Sequence, residues 1–383
     1  MMHLPIDYPT LRLIWWLLMG VLLIGFALTD GFDLGVTALL PFVARTDSER
    51  RMVINTVGPT WEGNQVWLIL GAGAIFAAWP FVYAVAFSGF YFAMFLVLGA
   101  LILRPLGFKY RSKREDKRWR EAWDWALFVA GAVPAVVFGV AVGNVLLGLP
   151  FRFDGDLRAT YLGSFLGLFS PFALLCGLLS AAMLVVHGAA WLTMKAEHGR
   201  VRERARLYGA VAAGLAIALF AAGFAFAAWG GLGFRLEGVV DPNGPSNPLR
   251  TLAASAPGGW LANFGQHPWM WIAPGLGFGG AGLALFGIAT GREPPAFAGS
   301  SASAIGIVAT VGLSMFPFIL PSSADPHSSL TVWNASSSPL TLFIMVLATI
   351  VFLPLILAYT AWAFRVMWGR STAAALAADP DLY

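Results

Sequence analysis

Charge is scarce in this sequence. Only 11% of its 383 residues are Asp, Glu, Lys or Arg, while 58% are apolar; soluble globular domains carry about 25% charged residues. A water-facing surface cannot be built around a chain of this length from so few charges, so most of the exterior faces lipid and the chain reads as a polytopic membrane protein. Cysteine is nearly absent. The single Cys176 excludes an internal disulfide, a Cys-rich zinc site and an iron–sulfur cluster held by this chain alone. Its setting, Leu174-Leu175-Cys176-Gly177-Leu178, reads as inert helix packing. Histidine is sparse as well. Of His3, His187, His198, His267 and His327, none falls in the middle of an apolar run: His187 closes one, and the others lie in loops or tails. Haem iron in a helical membrane protein takes an axial His or Met from a span. Met19, Met94, Met183, Met315 and Met345 lie in such runs but read as packing, so no haem is expected on this chain. An HExxH pair of helix turns, a Gly-rich phosphate loop beside a strand and a Cys–His pair are all missing. What remains cannot assemble a redox or hydrolytic centre, so a self-sufficient enzyme of those kinds is excluded. The net charge of +4 is no nucleic-acid signature, because the basic residues sit between apolar runs.

Long apolar runs are what the chain has in abundance. Crossing about 30 Å of hydrocarbon takes about 20 apolar residues, and runs of that kind lie near 13–43, 52–79, 82–105, 124–147, 162–187, 206–229, 269–289, 303–321 and 340–364. The expected fold is therefore an all-α integral membrane protein of about nine transmembrane helices, a single polytopic unit over residues 1–383. No cleavable signal peptide is read at the start: the first ten residues hold no Lys or Arg, and the run that follows is long enough to span and stay. Trp79-Pro80, uncharged and tight, reads as the turn joining the second and third runs. The 16 Trp cluster toward run ends, as at Trp15-Trp16, Trp123 and Trp125, and Trp269 and Trp271, where amphipathic rings meet the headgroups. With nine spans, eighteen of the 24 Lys and Arg fall on one set of loops and five on the other, Arg104 being left at a span end. Basic loops mark the cytoplasmic side, so the N-terminus is expected outside and the C-terminus inside. Residues 108–121 form the most basic of these loops, a topology signal suited to anionic lipid. Residues 230–268 form a long Gly/Pro/Asn-bearing loop on the other side, expected to fold over that face or contact a partner.

The few charges inside the runs stand out, since each costs about 2.5–3.5 kcal/mol on insertion scales and is a functional candidate by default. Thr29-Asp30-Gly31-Phe32-Asp33 interrupts the first run, and at a rise of about 1.5 Å per residue Asp33 lies roughly 18 Å from Arg45. By the same arithmetic Glu62, in Trp61-Glu62-Gly63-Asn64-Gln65, lies roughly 16 Å beyond Arg51. Three carboxylates at matched depth on adjacent segments fit either a proton path from the cytoplasm or a structural polar knot closed by Arg104. Arg104, before Pro105, and Asp124, within Trp123-Asp124-Trp125, lie at run ends, where snorkelling and the helix dipole explain them equally well. The Gly-rich stretch from Gly275 to Gly282 reads as close helix packing.

Several longer motifs point further. Leu11-Arg-Leu-Ile-Trp-Trp-Leu-Leu18 with Gly20 through Gly35, Arg50 through Asn55, Trp61 through Trp67, Phe87 through Tyr91, Leu103 through Lys113, Ser314 through Ser323 and Leu340-Thr-Leu all resemble subunit II of cytochrome bd-type quinol oxidases, in order along nearly the whole chain. The resemblance implies a bacterial inner-membrane oxidase that reduces dioxygen to water with electrons from quinol. It implies haems b and d on a partner subunit I, small single-helix subunits as further partners, and a quinone bound in some members. It also implies an architecture of two four-helix bundles plus one extra helix. Carried over by position, it assigns the proton path to Glu62, where relatives usually have Asp, with Asp30, Asp33, Arg104 and Asp124. It puts Trp67 beside an oxygen passage and Trp61 and Asn64 in support of the motif or of a quinone. Residues 1–147, where the charges gather, would be the functional half facing subunit I, and 148–383 mainly scaffold. The alternative from another class is an autonomous ion-coupled secondary transporter with Asp30, Asp33 and Glu62 as its ion site, although no second copy of a broken-helix motif is found.

Overall fold

The computed structural model describes residues 4–238, 240–372 and 374. The chain opens with α1 (Tyr8–Leu28) and α2 (Asp30–Val43), one 36-residue span interrupted at Thr29, whose hydroxyl donates to the Gly25 carbonyl at 2.8 Å. The Asp30-Gly31 step restarts the helix, and the two acidic residues in the first turn of α2 sit where a helix dipole favours negative charge. A short amphipathic α3 (Asp47–Asn55) follows, started by a reciprocal capping box between Thr46 and Glu49. It ends before Gly58-Pro59, and α4 (Trp61–Ala78) begins after the turn.

The run expected at 52–79 is therefore two helices. Pro59 lacks the amide hydrogen a continuous helix needs there. Trp79, in non-helical backbone ahead of Pro80, closes α4, since the residue before a proline is disfavoured in the helical region. The turn is followed by α5 (Pro80–Gly89), which is not yet the return span: Phe81 packs on Phe153 and Gly89 lies under Tyr161, so both ends of α5 touch one extramembrane hairpin. The return is α6 (Tyr91–Tyr110), and α7 (Lys117–Leu147) starts seven residues ahead of the expected 124 because its charged first turns continue past the apolar boundary.

The hairpin β1 (Phe151–Phe153) and β2 (Ala159–Tyr161) occupies the loop after α7 and delays the fifth span. Expected at 162–187, that span is α8 (Pro171–Lys195), capped by Ser170, and it runs eight residues past His187. The sixth is α9 (Arg200–Trp229). The long loop then pairs β3 (Phe234–Leu236) with β4 (Ala253–Ser255) and continues into α10 (Gly259–Gln266). Arg12, fully buried, donates to the Pro242 and Gly244 carbonyls and to Ser246 and Ser336, tying this loop to α1. The next two spans are α11 (Ile272–Thr290) and α12 (Glu293–Met315). The latter begins ten residues before the expected 303 because small residues, Ala296, Gly299 and Ser300, carry the helix on where hydropathy is low. A hairpin of β5 (Phe318–Leu320) and β6 (Leu330–Thr331) leads to α13 (Pro339–Val366).

Among the described residues eight helical segments are long and apolar enough to span. Helix α4, 18 residues long, runs between the two ends of the molecule as well, although its polar first turns lower its hydropathy. Its start lies beside Lys195 and Arg370, and its end accepts a hydrogen bond from Ser337 at the Ala78 carbonyl. Each end of the molecule has its own set of contacts. On one end Arg50 meets Asp124, Arg204 meets Glu49, and Ala196 bridges to Ser371. On the other, Leu149 bridges to Ser322 and Arg12 holds the 241–246 turn. Helices α8, α9, α11 and α12 pack one on the next into a closed four-helix group. The α1–α2 span with α4, α6 and α7 makes a second, and α13 flanks α1 with most of its surface outward. Glycine makes a tight seam between α11 and α12. A Cβ on Gly306 would lie 2.1 Å from the Gly277 nitrogen, so α11 and α12 touch backbone to backbone, as small residues in a membrane bundle allow.

Candidate functional site

Twelve of the fourteen residues of α2 are buried, so its carboxylates have only protein to turn to. Asp30 accepts a 2.7 Å hydrogen bond from Arg104 on α6, and both side chains are completely buried. Asp33, one turn on, accepts from the Asn64 amide of α4 at 2.8 Å. The Arg104 guanidinium lies 5.4 Å from the ring of Trp61, which in turn packs edge-on against Phe108. Asp30, Asp33, Arg104, Trp61 and Asn64, drawn from three helices, are thus one cluster. It holds two carboxylates to one guanidinium, and its hydrogen-bonding capacity is not used up. Asp30 Oδ2, Asp33 Oδ1, Arg104 Nε and Nη2, and Trp61 Nε1 are buried without a hydrogen-bond partner among the described residues. Buried polar atoms are nearly always satisfied, commonly by ordered water, so such a cluster is suited to holding water and to passing protons along it.

Glu62 stands apart. It lies in the first turn of α4, and the turn at 56–60 breaks the continuous rise that the depth estimate from Arg51 assumed. Two residues from Asn64, it points to a different side of the helix. Its side chain is 68% exposed, 4.0 Å from the Lys109 ammonium. The structure therefore does not bring Glu62 together with Asp30 and Asp33; it faces out of the chain beside the basic end.

Asp124 belongs to neither place. Since α7 begins at Lys117, it sits in the third turn rather than the first, buried between Arg111 Nε at 2.5 Å and Arg50 at 2.7 Å. Arg111 also bonds Asp47, which Arg120 holds from the other side. This network clamps α3, the end of α6 and the start of α7 at the basic end. Arg50, Arg111 and Asp47 were missed in the sequence because they look like ordinary loop charges. One signal was available: Arg104, Gly107 or Phe108, and Arg111 recur at helical spacing, so Arg111 continues the buried face of α6. Trp67 is buried with its ring over Gly25 of α1, where a Cβ would meet it at 2.5 Å.

His187 lies inside α8, not at its close, because the helix continues through Gly188-Ala-Ala-Trp191. Its Nδ1 is 2.8 Å from Ser300 Oγ, its Nε2 is 3.0 Å from the Leu28 carbonyl at the α1–α2 break, and its ring stacks on Phe297. With both nitrogens engaged it offers no axial ligand, and the residues present do not fit a haem held through this imidazole. Among the described residues no group of three or more His, Cys, Asp and Glu side chains is arranged to hold a metal ion.

Comparison with known proteins agrees over nearly the whole length. Residues 11–367 match the family described as cytochrome bd terminal oxidase subunit II. The chain is 48% identical over 370 residues to cytochrome bd-I ubiquinol oxidase subunit 2 of Escherichia coli, covering 96% of this chain and 97% of that one. It is 48% identical to a probable cytochrome oxidase subunit 2 of Haemophilus influenzae over 95% and 96% of the two chains. With cytochrome bd ubiquinol oxidase subunit 2 of Bacillus subtilis the identity is 30%, over 93% and 96%. The fold is shared with a chain of the bd oxidase from Geobacillus thermodenitrificans, at a TM-score of 0.64 and 16% identity, covering 93% and 98% of the two chains. With its buried acid–guanidinium cluster, its bundle of long apolar helices and this end-to-end similarity, the chain belongs to the family of subunit II of cytochrome bd-type ubiquinol oxidases.

Proposed function

We propose that this chain contributes a proton route to an oxidase in which dioxygen is reduced to water with electrons from quinol. The haems b and d, which supply the oxygen chemistry, would sit on a subunit I beside it, with a quinone and small single-helix subunits as further components of the complex. The observation that carries the reading is the buried cluster of Asp30, Asp33, Arg104, Asn64 and Trp61, with its unpartnered polar atoms. A charged group in hydrocarbon is costly and is kept where it works. Arg104 neutralises one carboxylate, so the second can exchange a proton without leaving two buried negative charges side by side. Glu62, facing outward next to Lys109, is where the route would pass from this chain to subunit I. Glu in place of the usual Asp reaches one methylene farther. The basic end would face the cytoplasm in a bacterial inner membrane, with the N-terminus outside and the C-terminus inside, as basic loops dictate. Trp67, wedged on Gly25, would border an oxygen passage along α1.

The test is the assembled oxidase with Glu62→Gln and, separately, Asp33→Asn. Both substitutions keep size and remove the exchangeable proton. Each should assemble with an unchanged haem spectrum and lose quinol-driven oxygen consumption. Full turnover in both variants would reduce the cluster to a structural knot. Purification of the chain by itself, without a haem-bearing partner, would favour the ion-coupled transporter instead.

A further inference from the structure

At the basic end, away from the acidic cluster, a cavity of about 190 Å³ opens between the 55–60 turn, the last turn of α8 and the last turn of α13. Its walls are mostly apolar, with Pro59, Trp191, Phe364 and Met367, joined by the polar Asn55, Thr56, Thr60 and Ser371, and among the described residues no Asp or Glu lines it. Lys195 lines it too, and is more than nine-tenths buried. A lysine ammonium carries three donor hydrogens. One goes to the Met367 carbonyl at 3.2 Å, and the rings of Trp191 and Trp368 flank the nitrogen at 5.4 and 4.6 Å. The other two have no hydrogen-bonding partner among the described residues. Arg370 stands at the rim, paired with Glu293 and His198.

A buried cation with spare donors, in a mostly apolar cavity with no carboxylate among its described lining residues, is arranged for an anion that brings its own apolar body. The level of the cavity says which. Trp362 and Val366, on the last turns of α13, and Trp368, just beyond its end, are exposed beside it, and exposed Trp concentrates at the headgroup layer. The surrounding loops hold most of the basic residues and attract anionic lipid. We infer that this cavity binds the phosphate of an anionic phospholipid, with the phosphate oxygens on Lys195 and the glycerol and first acyl carbons against Phe364 and Met367. The bound lipid adds to the packing of Phe364 on Trp191 and to the Ser371–Lys195 backbone hydrogen bond, which already hold the end of α13 to α8, and extends that hold to the turn ahead of α4. The site would matter for stability and is separate from the proposed proton route.

The experiment uses the assembled oxidase, purified in detergent and stripped of lipid, with its melting temperature followed as phosphatidylglycerol, phosphatidylcholine or inorganic phosphate is added. Phosphatidylglycerol should raise the melting temperature saturably, with phosphatidylcholine and millimolar phosphate having little effect. Lys195→Gln should raise the half-saturating phosphatidylglycerol about tenfold or more, as loss of a charge-assisted hydrogen bond does. Because that substitution also alters the Met367 contact, Ser371→Trp, which fills the mouth of the cavity and keeps Lys195, should abolish the response as well. An equal response to inorganic phosphate would assign the site to a free anion and overturn the lipid. So would equal responses to the two lipids, or an unchanged response in both variants. A response that emerges only after deletion of residues 375–383 would make the chain's own tail the occupant, and would overturn the lipid too.

Discussion

Asp30 and Arg104 face each other with no contact to solvent, and that decides how each should respond to mutation. Removing one partner of a buried pair leaves an uncompensated charge, at a cost of about 3–5 kcal/mol, whereas replacing both with apolar side chains is often neutral. Arg104→Leu should therefore sharply lower the yield of assembled oxidase, and Arg104→Leu with Asp30→Leu should recover much of it; the haem-containing complex extracted per cell is the measure. A double variant as poor as the single one would mean that Arg104 is needed for more than charge balance. Glu49 gives a prediction in pH. Partial burial alone would raise its value, but the amide hydrogens of Arg45 and Thr46 and the guanidinium of Arg204 outweigh that and hold the carboxyl below its ordinary range. A folded value below the unfolded one means the contribution is present at neutral pH and is lost as pH falls through the folded value. Melting temperatures of wild type and Glu49→Gln should differ at pH 7 and converge on acidification below the usual carboxylate range. A gap that stays constant down to pH 3 would show that the cap and ion pair do not act through the charge.

Among the elements, α2 is seated by its neighbours rather than by its own propensity. A Cβ on Gly35 would fall 2.0 Å from the Leu184 carbonyl, and Gly188 on α8 meets Gly35 in return. This backbone contact sets how deep Asp30 and Asp33 lie against α4 and α6. Gly35→Leu should push α2 off α8 and break the Asp33–Asn64 hydrogen bond, so that what assembles shows reduced turnover. Gly214→Ala, on the open side of α9, where a Cβ meets nothing within 4 Å, should leave both assembly and turnover near wild type. Oxygen consumption per haem in the two variants checks the pair. Equal losses in both would mean that the α2–α8 seam does not govern the cluster.

For the whole molecule, the question is which of its apolar faces meets protein and which meets lipid. On α4 and α6 the outward side chains include Ile69, Phe92, Phe95 and Ile102, on the same helices as Glu62 and Lys109; on α9 they include Leu207, Val211 and Leu215. An ion pair at a lipid-facing rim is out of place, whereas at a subunit interface it is useful. Cysteine placed at Ile69 should therefore cross-link to subunit I in the membrane, and cysteine at Val211 should be labelled by a lipid-phase reagent instead. The reverse pattern would move the contact from the first 147 residues to the other half of the chain. Much of this molecule was legible before folding. Composition marked the chain as a membrane protein, and the cost of charge in hydrocarbon singled out Asp30, Asp33 and Arg104, because each of these is a property of residues taken one at a time or in a run. Helix ends were misjudged where hydropathy and helicity part, as at Lys117, Glu293 and beyond His187, since a helix continues on hydrogen bonds after its apolar content fades. Pairing was beyond the sequence. That Asn64 and not Glu62 turns to Asp33, that Asp124 answers to Arg111 and Arg50, and that Lys195 is enclosed at the end of α13 all depend on which faces of distant helices meet. Those meetings are set by glycine seams and side-chain packing between segments far apart in the chain, and only the tertiary structure decides them.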